Sequence, residues 1–119
     1  MPDIISDLED IAPVTAVLGN TDIGNPLKPL EIVELAGRKF LLHHIVNPHA
    51  TDDKINARIA REKPDMVLFG HTHRQFCETI NGILFVNPGY AGKPKFGLER
   101  SVALLHCHAK EMRVEFIAL

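Results

Sequence analysis

The sequence has few cysteines, no long apolar run and almost no net charge, and each of these scarcities excludes a class of protein. Two cysteines in 119 residues are too few for a disulfide scaffold, so we expect a reducing, cytoplasmic location. No apolar stretch reaches the roughly 20 residues that cross a bilayer, and the acidic start MPDIISDLED does not resemble a signal peptide. A formal charge of −2 means that the chain has no excess of positive charge to bind nucleic acid or an anionic membrane. Neither is therefore expected as a primary partner.

The remaining composition is that of a globular domain. Hydrophobic residues make up 45% of the chain and charged residues 24%, which is ordinary usage for a protein with a packed core. No repeat or linker interrupts the sequence, so we predict one domain over residues 1–119. Seven histidines are the unusual feature. Because histidine is the commonest metal ligand, their positions bear on function.

Apolar periodicity and turn residues predict many strands with a few helices between them. Residues 1–10 and 51–63 are predicted as helices, the second with Thr51 as its capping residue. Short buried strands are predicted at 14–18 and 66–69. Three hairpins are predicted: 30–35 with 38–46, 74–80 with 83–86 around Asn81-Gly82, and 100–109 with 112–119. This order favours a mixed α/β layered fold over a parallel doubly wound sheet.

Polar segments follow three of the predicted strands, and they could meet at one point. They are Gly19-Asn20-Thr21-Asp22, His43-His44 and Gly70-His71-Thr72-His73. In open α/β sheets, sites lie at the carboxyl ends of the strands. Imidazole together with amide or carboxylate oxygens suits Zn²⁺, Mn²⁺, Fe or Ni²⁺ better than Ca²⁺.

The two histidine pairs have different geometric possibilities. His43 and His44 are adjacent, so on a strand they face opposite sides and at most one is expected as a ligand. His71 and His73 would share a face of a strand, whereas in a loop after Gly70 they can bind different metal ions. His106 and His108 also share a strand face, and we expect them to be a half-buried or surface pair.

Together with Asn87-Pro88-Gly89, which begins fourteen residues after His73, these segments resemble the calcineurin-like metallophosphoesterases. The closest likeness is to the small bacterial and archaeal branch of YfcE-type phosphodiesterases, and it covers essentially the whole chain. The resemblance implies a mixed-sheet β-sandwich flanked by helices. It also implies hydrolysis of a phosphodiester or a small phosphorylated metabolite. In such sites two divalent metal ions (Mn, Zn, Ni or Fe), roughly 3.5–4 Å apart, bind the phosphate and generate hydroxide.

The site residues are carried over from this resemblance one position at a time. Asn20, His44 and His71 match ligands of the second metal, and His73 matches a ligand of the first. Asn20 and His44 are the expected catalytic residues. Three positions depart from the usual family residues. They are Thr21, where many members place a histidine that can protonate the leaving group, Ile45 in place of glycine, and Tyr90 in place of serine.

The family's Asp-x-His and Gly-Asp motifs do not occur in the sequence. They supply two ligands of the first metal and the carboxylate that bridges both ions. The resemblance therefore implies that a first strand–helix–strand unit of roughly 30 residues is missing, so that the site would hold one metal ion or none. The alternatives to an active enzyme are a metal-binding remnant or a protein-interaction scaffold of the same fold. A separate interpretation is that Asn87-Pro88-Gly89 is only a turn beneath the site.

The same resemblance bears on assembly. The missing first strand lies inside the sheet in this family, so its loss would leave strand edges without a partner. Such edges pair readily with another chain. We therefore expect a homo-oligomer formed through exposed strand edges, or poor solubility of the monomer.

Overall fold

The computed structural model describes residues 2–18, 27–50, 53–94, 97–108 and 111–119. These residues form, in chain order, α1 (Pro2–Glu9), β1 (Leu30–Leu35), β2 (Arg38–His43), α2 (Lys54–Glu62), β3 (Met66–Leu68), β4 (Gln75–Ile80), β5 (Ile83–Pro88), β6 (Ser101–His108) and β7 (Glu111–Ala118). No helix within these ranges is long and apolar enough to span a membrane.

The strands form a five-stranded mixed sheet and a two-stranded antiparallel sheet. The larger sheet has the order β1-β2-β3-β5-β4, and the smaller one pairs β6 with β7. Strand β3 runs parallel to both β2 and β5, whereas β1 and β4 are antiparallel neighbours at the two ends of the sheet. The carboxyl ends of β2, β3 and β5 therefore lie at one edge of the sheet.

The two sheets pack face to face, and helix α2 covers the opposite face of the larger one. Leu105 and Met112 from the smaller sheet pack against a cluster around Met66. On the other face, Ile59 of α2 packs with Leu41 and neighbouring apolar side chains. The predicted mixed α/β sandwich flanked by helices is confirmed.

Strand β3 lies at the centre of this core because its residues are apolar without alternation. Met66 and Val67 have no exposed surface, as expected for a parallel strand that is buried on both faces. The sequence Met-Val-Leu-Phe then meets Gly70, where the chain leaves the sheet. The segment Gly70-His71-Thr72-His73 therefore lies at the edge of the sheet where the carboxyl ends of β2, β3 and β5 meet.

Two local predictions are wrong. Residues 14–18 do not form a strand. The Leu18 N–H donates to the Lys28 carbonyl at 2.9 Å, but a strand needs a series of such bonds to a neighbouring strand. Helix α2 is capped by Asp53, whose carboxylate accepts from the Asn56 N–H at 2.7 Å. Thr51, the predicted cap, lies outside the described residues.

An ion pair joins the end of α2 to strand β2. Lys39 Nζ lies 3.1 Å from Glu62 Oε2 and also donates to the Glu62 carbonyl at 3.0 Å. The hydrogen bond from Lys39, with the charge of Arg58 as a smaller contribution, lowers the pKa of Glu62 below its ordinary value. This link fixes the helix against the strand that ends at His43.

Candidate metal and substrate site

Backbone hydrogen bonds tie together the chain segments that leave the three parallel strands. The Gly70 N–H donates to the His44 carbonyl at 2.9 Å, and the Phe69 N–H donates to the Val86 carbonyl at 3.0 Å. Both bonds continue the parallel pairing of β3 beyond its last residue. His44 and the 70–73 segment are therefore neighbours, as predicted from the carboxyl ends of the strands.

The imidazole rings of His44 and His71 face each other across this edge. Their centroids are 5.3 Å apart, and the ring planes meet at 83°. Zn–N bonds of about 2.0–2.1 Å place the centroids of two imidazoles on one tetrahedral metal roughly 5 Å apart. The separation of the two rings therefore matches that of two imidazole ligands of one divalent ion. Within the described residues, no group of three or more His, Cys, Asp or Glu side chains converges in this way.

The backbone of the 70–73 segment is in an unusual conformation. His71 has φ +74° and His73 has φ +62°, values that side-chain-bearing residues rarely adopt. Each such residue costs of the order of 1–3 kcal/mol and persists only where the surrounding structure holds it. The segment is thus a loop and not a continuation of β3. Of the two possibilities for His71 and His73, the structure shows the loop.

The two histidines of this loop have different neighbours. His71 approaches His44, whereas the ring of His73 packs on Tyr90, with centroids 4.6 Å apart and an angle of 41°. The Tyr90 hydroxyl donates to the Lys93 carbonyl at 2.8 Å, which fixes the aromatic ring. The described ring contact of His73 is thus with Tyr90, and that of His71 is with His44.

Asn87 holds the histidine loop in place from below. Its side chain has no exposed surface, and its amide nitrogen lies 3.2 Å from both the Gly70 carbonyl and Thr72 Oγ1. Its amide oxygen accepts from the Gly89 N–H at 3.0 Å. One buried amide thus connects the loop after β3 with the turn after β5.

The turn after β5 is itself tightly packed. Gly89 has φ +98°, and a Cβ at this position would overlap Ser101 Oγ. The Ser101 hydroxyl donates to the Pro88 carbonyl at 2.8 Å. The interpretation of Asn87-Pro88-Gly89 as only a turn is wrong, because Asn87 and Pro88 are the last residues of β5 and pair with Phe76 and Gln75, and only Gly89 lies beyond the strand. The segment also supplies the amide that positions the histidine loop.

The remaining predicted residues have distinct positions. Asn20 and Thr21 lie outside the described residues. His43 is turned toward its own backbone, with Nδ1 2.9 Å from the Ile45 carbonyl oxygen and 3.3 Å from the Ile45 nitrogen. Of the adjacent pair, the structure thus places His44 beside His71.

The surface histidine pair on β6 is as expected. His106 is half-buried and His108 is exposed. His106 Nε2 lies 3.1 Å from Glu115 Oε1 on the neighbouring strand. This pair belongs to the smaller sheet and does not contribute to the edge where His44 and His71 meet.

A cavity of about 470 Å³ opens beside His71. Its lining includes the apolar residues Phe69 and Phe76 and the exposed residue Arg74. The sequence patterns did not indicate either Phe76 or Arg74 as site residues. The one local signal was the position of Arg74, directly after the histidine loop.

The structure is a layered α/β fold with histidines at the carboxyl ends of adjacent parallel strands, which is where open α/β folds hold their ligands. Residues 1–110 match the family model for the calcineurin-like phosphoesterase superfamily domain, and the chain belongs to that superfamily. This membership supports a function of the phosphoesterase type.

Similar proteins come from archaea, bacteria and eukaryotes. A probable metallophosphoesterase of Methanothermobacter thermautotrophicus is 30% identical over 120 aligned positions, covering 98% of this chain and 69% of the relative. A predicted phosphoesterase of Streptococcus pneumoniae has a similar structure, with a TM-score of 0.72, 24% identity and coverage of 87% of this chain and 62% of that one. Vps29 of Entamoeba histolytica, solved in complex with Zn²⁺, has a TM-score of 0.67 at 22% identity. The match covers 95% of this chain and 73% of that one. At these identities the two structures show the fold alone.

Proposed function

We propose that this chain is a metal-dependent phosphoesterase that hydrolyses phosphodiesters, with His44 and His71 as ligands of a divalent metal ion. The observation that carries the proposal is the approach of these two imidazoles, 5.3 Å apart between centroids. They lie at the carboxyl ends of two adjacent parallel strands, which is where α/β folds hold their ligands. We propose Mn²⁺ as the ion used in the assay below.

Asn20 and His73 complete the proposed site. Asn20 is assigned as a further ligand of the same ion and as a donor to a phosphoryl oxygen in the transition state, and His73 as a ligand of a second ion. A divalent ion, when bound, polarises the phosphoryl group and lowers the pKa of a coordinated water. His71 and His73 have strained backbone conformations, so the surrounding structure fixes the backbone that carries their rings.

The proposal favours phosphoesters whose leaving group is an acidic alcohol. Position 21 carries a threonine hydroxyl where many family members place a histidine that can protonate the leaving group. A threonine is a poor proton donor at neutral pH, so leaving groups that need protonation should react slowly. A diester with an acidic alcohol does not need that help.

We predict Mn²⁺-dependent hydrolysis of bis(p-nitrophenyl) phosphate by this chain. The His71→Ala variant should lose at least about 100-fold of that rate, because a metal-assisted reaction fails when a ligand is removed. His108→Ala is the matched control, since His108 is exposed on the smaller sheet and should keep the wild-type rate. Release of p-nitrophenolate is followed by absorbance.

The same assay separates the enzyme from its alternatives. If wild type and His71→Ala release p-nitrophenolate equally, or neither does so above background, the enzyme proposal fails. The metal-binding remnant and the protein-interaction scaffold would then be the remaining interpretations. A rate that does not depend on metal would contradict the proposal in a different way, because it would remove the role given to the histidines.

We also propose that the chain self-associates through strand edges. In the part of the chain that the structure describes, β6 and β7 pair only with each other, and β1 ends the larger sheet. Leu35 on β1 is 61% exposed and Leu104 on β6 is 47% exposed, so these edges carry apolar side chains. Open edges of this kind pair with other strands, and charged residues prevent it.

Light scattering should therefore give a mass at least about twice the 13.2 kDa of one chain. Leu104→Lys should lower that mass, because a lysine on an edge strand opposes pairing. A monodisperse monomer of the unmodified chain at assay concentrations would contradict self-association without affecting the proposed chemistry.

A further inference from the structure

We propose that the cavity beside His71 is a leaving-group subsite that accepts a flat apolar ring, and that Arg74 at its edge pairs with an anionic oxygen of the substrate. The substrate class is then a phosphoester of a ring-containing apolar alcohol. This inference rests on the proposed function, because it names the substrate of the same site.

The cavity walls are mainly apolar and partly aromatic. They include Ile45, Val46 and Pro48, which follow β2, and the aromatic residues Phe69 and Phe76. The two phenyl rings meet at 62° with centroids 5.8 Å apart, so they pack edge-to-face on each other. A ring that enters the cavity can pack edge-to-face on them and removes apolar surface from water.

The dimensions of the cavity suit a small organic group together with the phosphoryl group. Its volume of about 470 Å³ falls in the range of small-molecule sites, roughly 300–1,000 Å³. It is contiguous with the histidine loop, since Gly70, His71 and Thr72 form part of its lining. A substrate held at His71 through its phosphate would therefore direct one ester group into the cavity.

Arg74 supplies the charge that such a substrate requires. Arg74 lines this cavity and also a smaller one, of about 290 Å³, beside His73. Among the described residues no carboxylate lies within ion-pair distance of its guanidinium. Its backbone N–H donates to Thr72 Oγ1 at 3.3 Å, which ties the residue to the histidine loop. A guanidinium in this position can bind two phosphoryl oxygens at once.

The test is a comparison of two phosphonates that this site cannot hydrolyse, so that binding is measured without turnover. Phenylphosphonate and methylphosphonate carry the same charged group and differ in the ring. Isothermal titration of the chain in the presence of Mn²⁺ should show phenylphosphonate binding on the order of 10-fold more tightly, because burying a ring adds that much affinity.

Variants assign the preference to the proposed residues. Phe76→Ala should abolish the difference between the two phosphonates, whereas Ile80→Ala, on the same face of β4 but outside this cavity, should keep it. Ile45→Asn changes a second apolar residue of the lining, one that is 49% exposed; it should reduce the difference without affecting folding. Arg74→Gln should weaken both phosphonates by a similar factor, about 10-fold for a charged hydrogen bond.

Three results would overturn the inference: equal affinities in the wild type, no detectable binding of either phosphonate, or a ring preference that survives both Phe76→Ala and Ile45→Asn. The failure of the proposed function is a separate result. A chain that prefers the ring but shows no Mn²⁺-dependent hydrolysis would contradict the function alone, and a chain that hydrolyses diesters without the preference would contradict only this inference.

Discussion

Replacing Asn87 by alanine is expected to lower the free energy of unfolding by about 3 kcal/mol and to weaken metal binding at the same time. The wild-type amide is fully buried and makes three hydrogen bonds, to the Gly70 carbonyl, Thr72 Oγ1 and the Gly89 N–H. Alanine would leave these groups without that partner and would open a small cavity beside them.

The effect on the metal site follows from the strain in the histidine loop. His71 and His73 both have positive φ, a conformation that relaxes unless the surroundings hold it. Asn87 contacts the loop at the residues before and after His71, so without it the ring of His71 should move away from His44. Loss of such a supporting interaction typically costs about 10–100-fold in metal affinity.

Urea denaturation and a Zn²⁺ titration of the same variants measure both effects. Asn47→Ala is the control, because Asn47 is exposed and, among the described residues, its side-chain oxygen accepts one hydrogen bond, from the His49 N–H at 3.1 Å. That change should cost less than about 1 kcal/mol and leave Zn²⁺ affinity unchanged. If Asn87→Ala were no more harmful than Asn47→Ala in either measurement, Asn87 would not be the residue that positions the loop.

Much of the fold was predictable because its signals are local. Asn81-Gly82 marks a hairpin turn, and both residues adopt the positive φ that such a turn requires. The uninterrupted apolar sequence of β3 predicted a strand buried on both faces. The segment 14–18 has an equally apolar sequence and is not a strand, because strand formation depends on a partner that local sequence does not report.

The candidate site was predictable only in part, for the same reason. Adjacent histidines on a strand point to opposite sides, which limited the ligand to His43 or His44 but could not choose between them from geometry alone. The choice depends on the chain that lies beside β2, and the structure places Gly70 and His71 there. The cavity formed with Phe76 and Arg74 depends on tertiary packing in the same way, so no local pattern indicated it.

The second prediction with a large expected effect concerns the adjacent residues His43 and His44. His44→Ala should weaken Zn²⁺ binding on the order of 100-fold, at the upper end of what loss of even a supporting residue costs. His43→Ala should have little effect, because the His43 ring is turned toward the backbone of Ile45. The two variants remove the same side chain from neighbouring positions, so a difference between them reports geometry and not the general loss of a histidine.

The ratio of these two Zn²⁺ affinities, measured by competition with a chromophoric chelator, tests the proposed metal site most directly. The predicted result is near-wild-type affinity for His43→Ala and a large loss for His44→Ala, with His71→Ala behaving like His44→Ala. An equal loss in the two neighbouring variants, or a larger loss in His43→Ala, would contradict the assignment of His44 and His71 as the metal-binding pair.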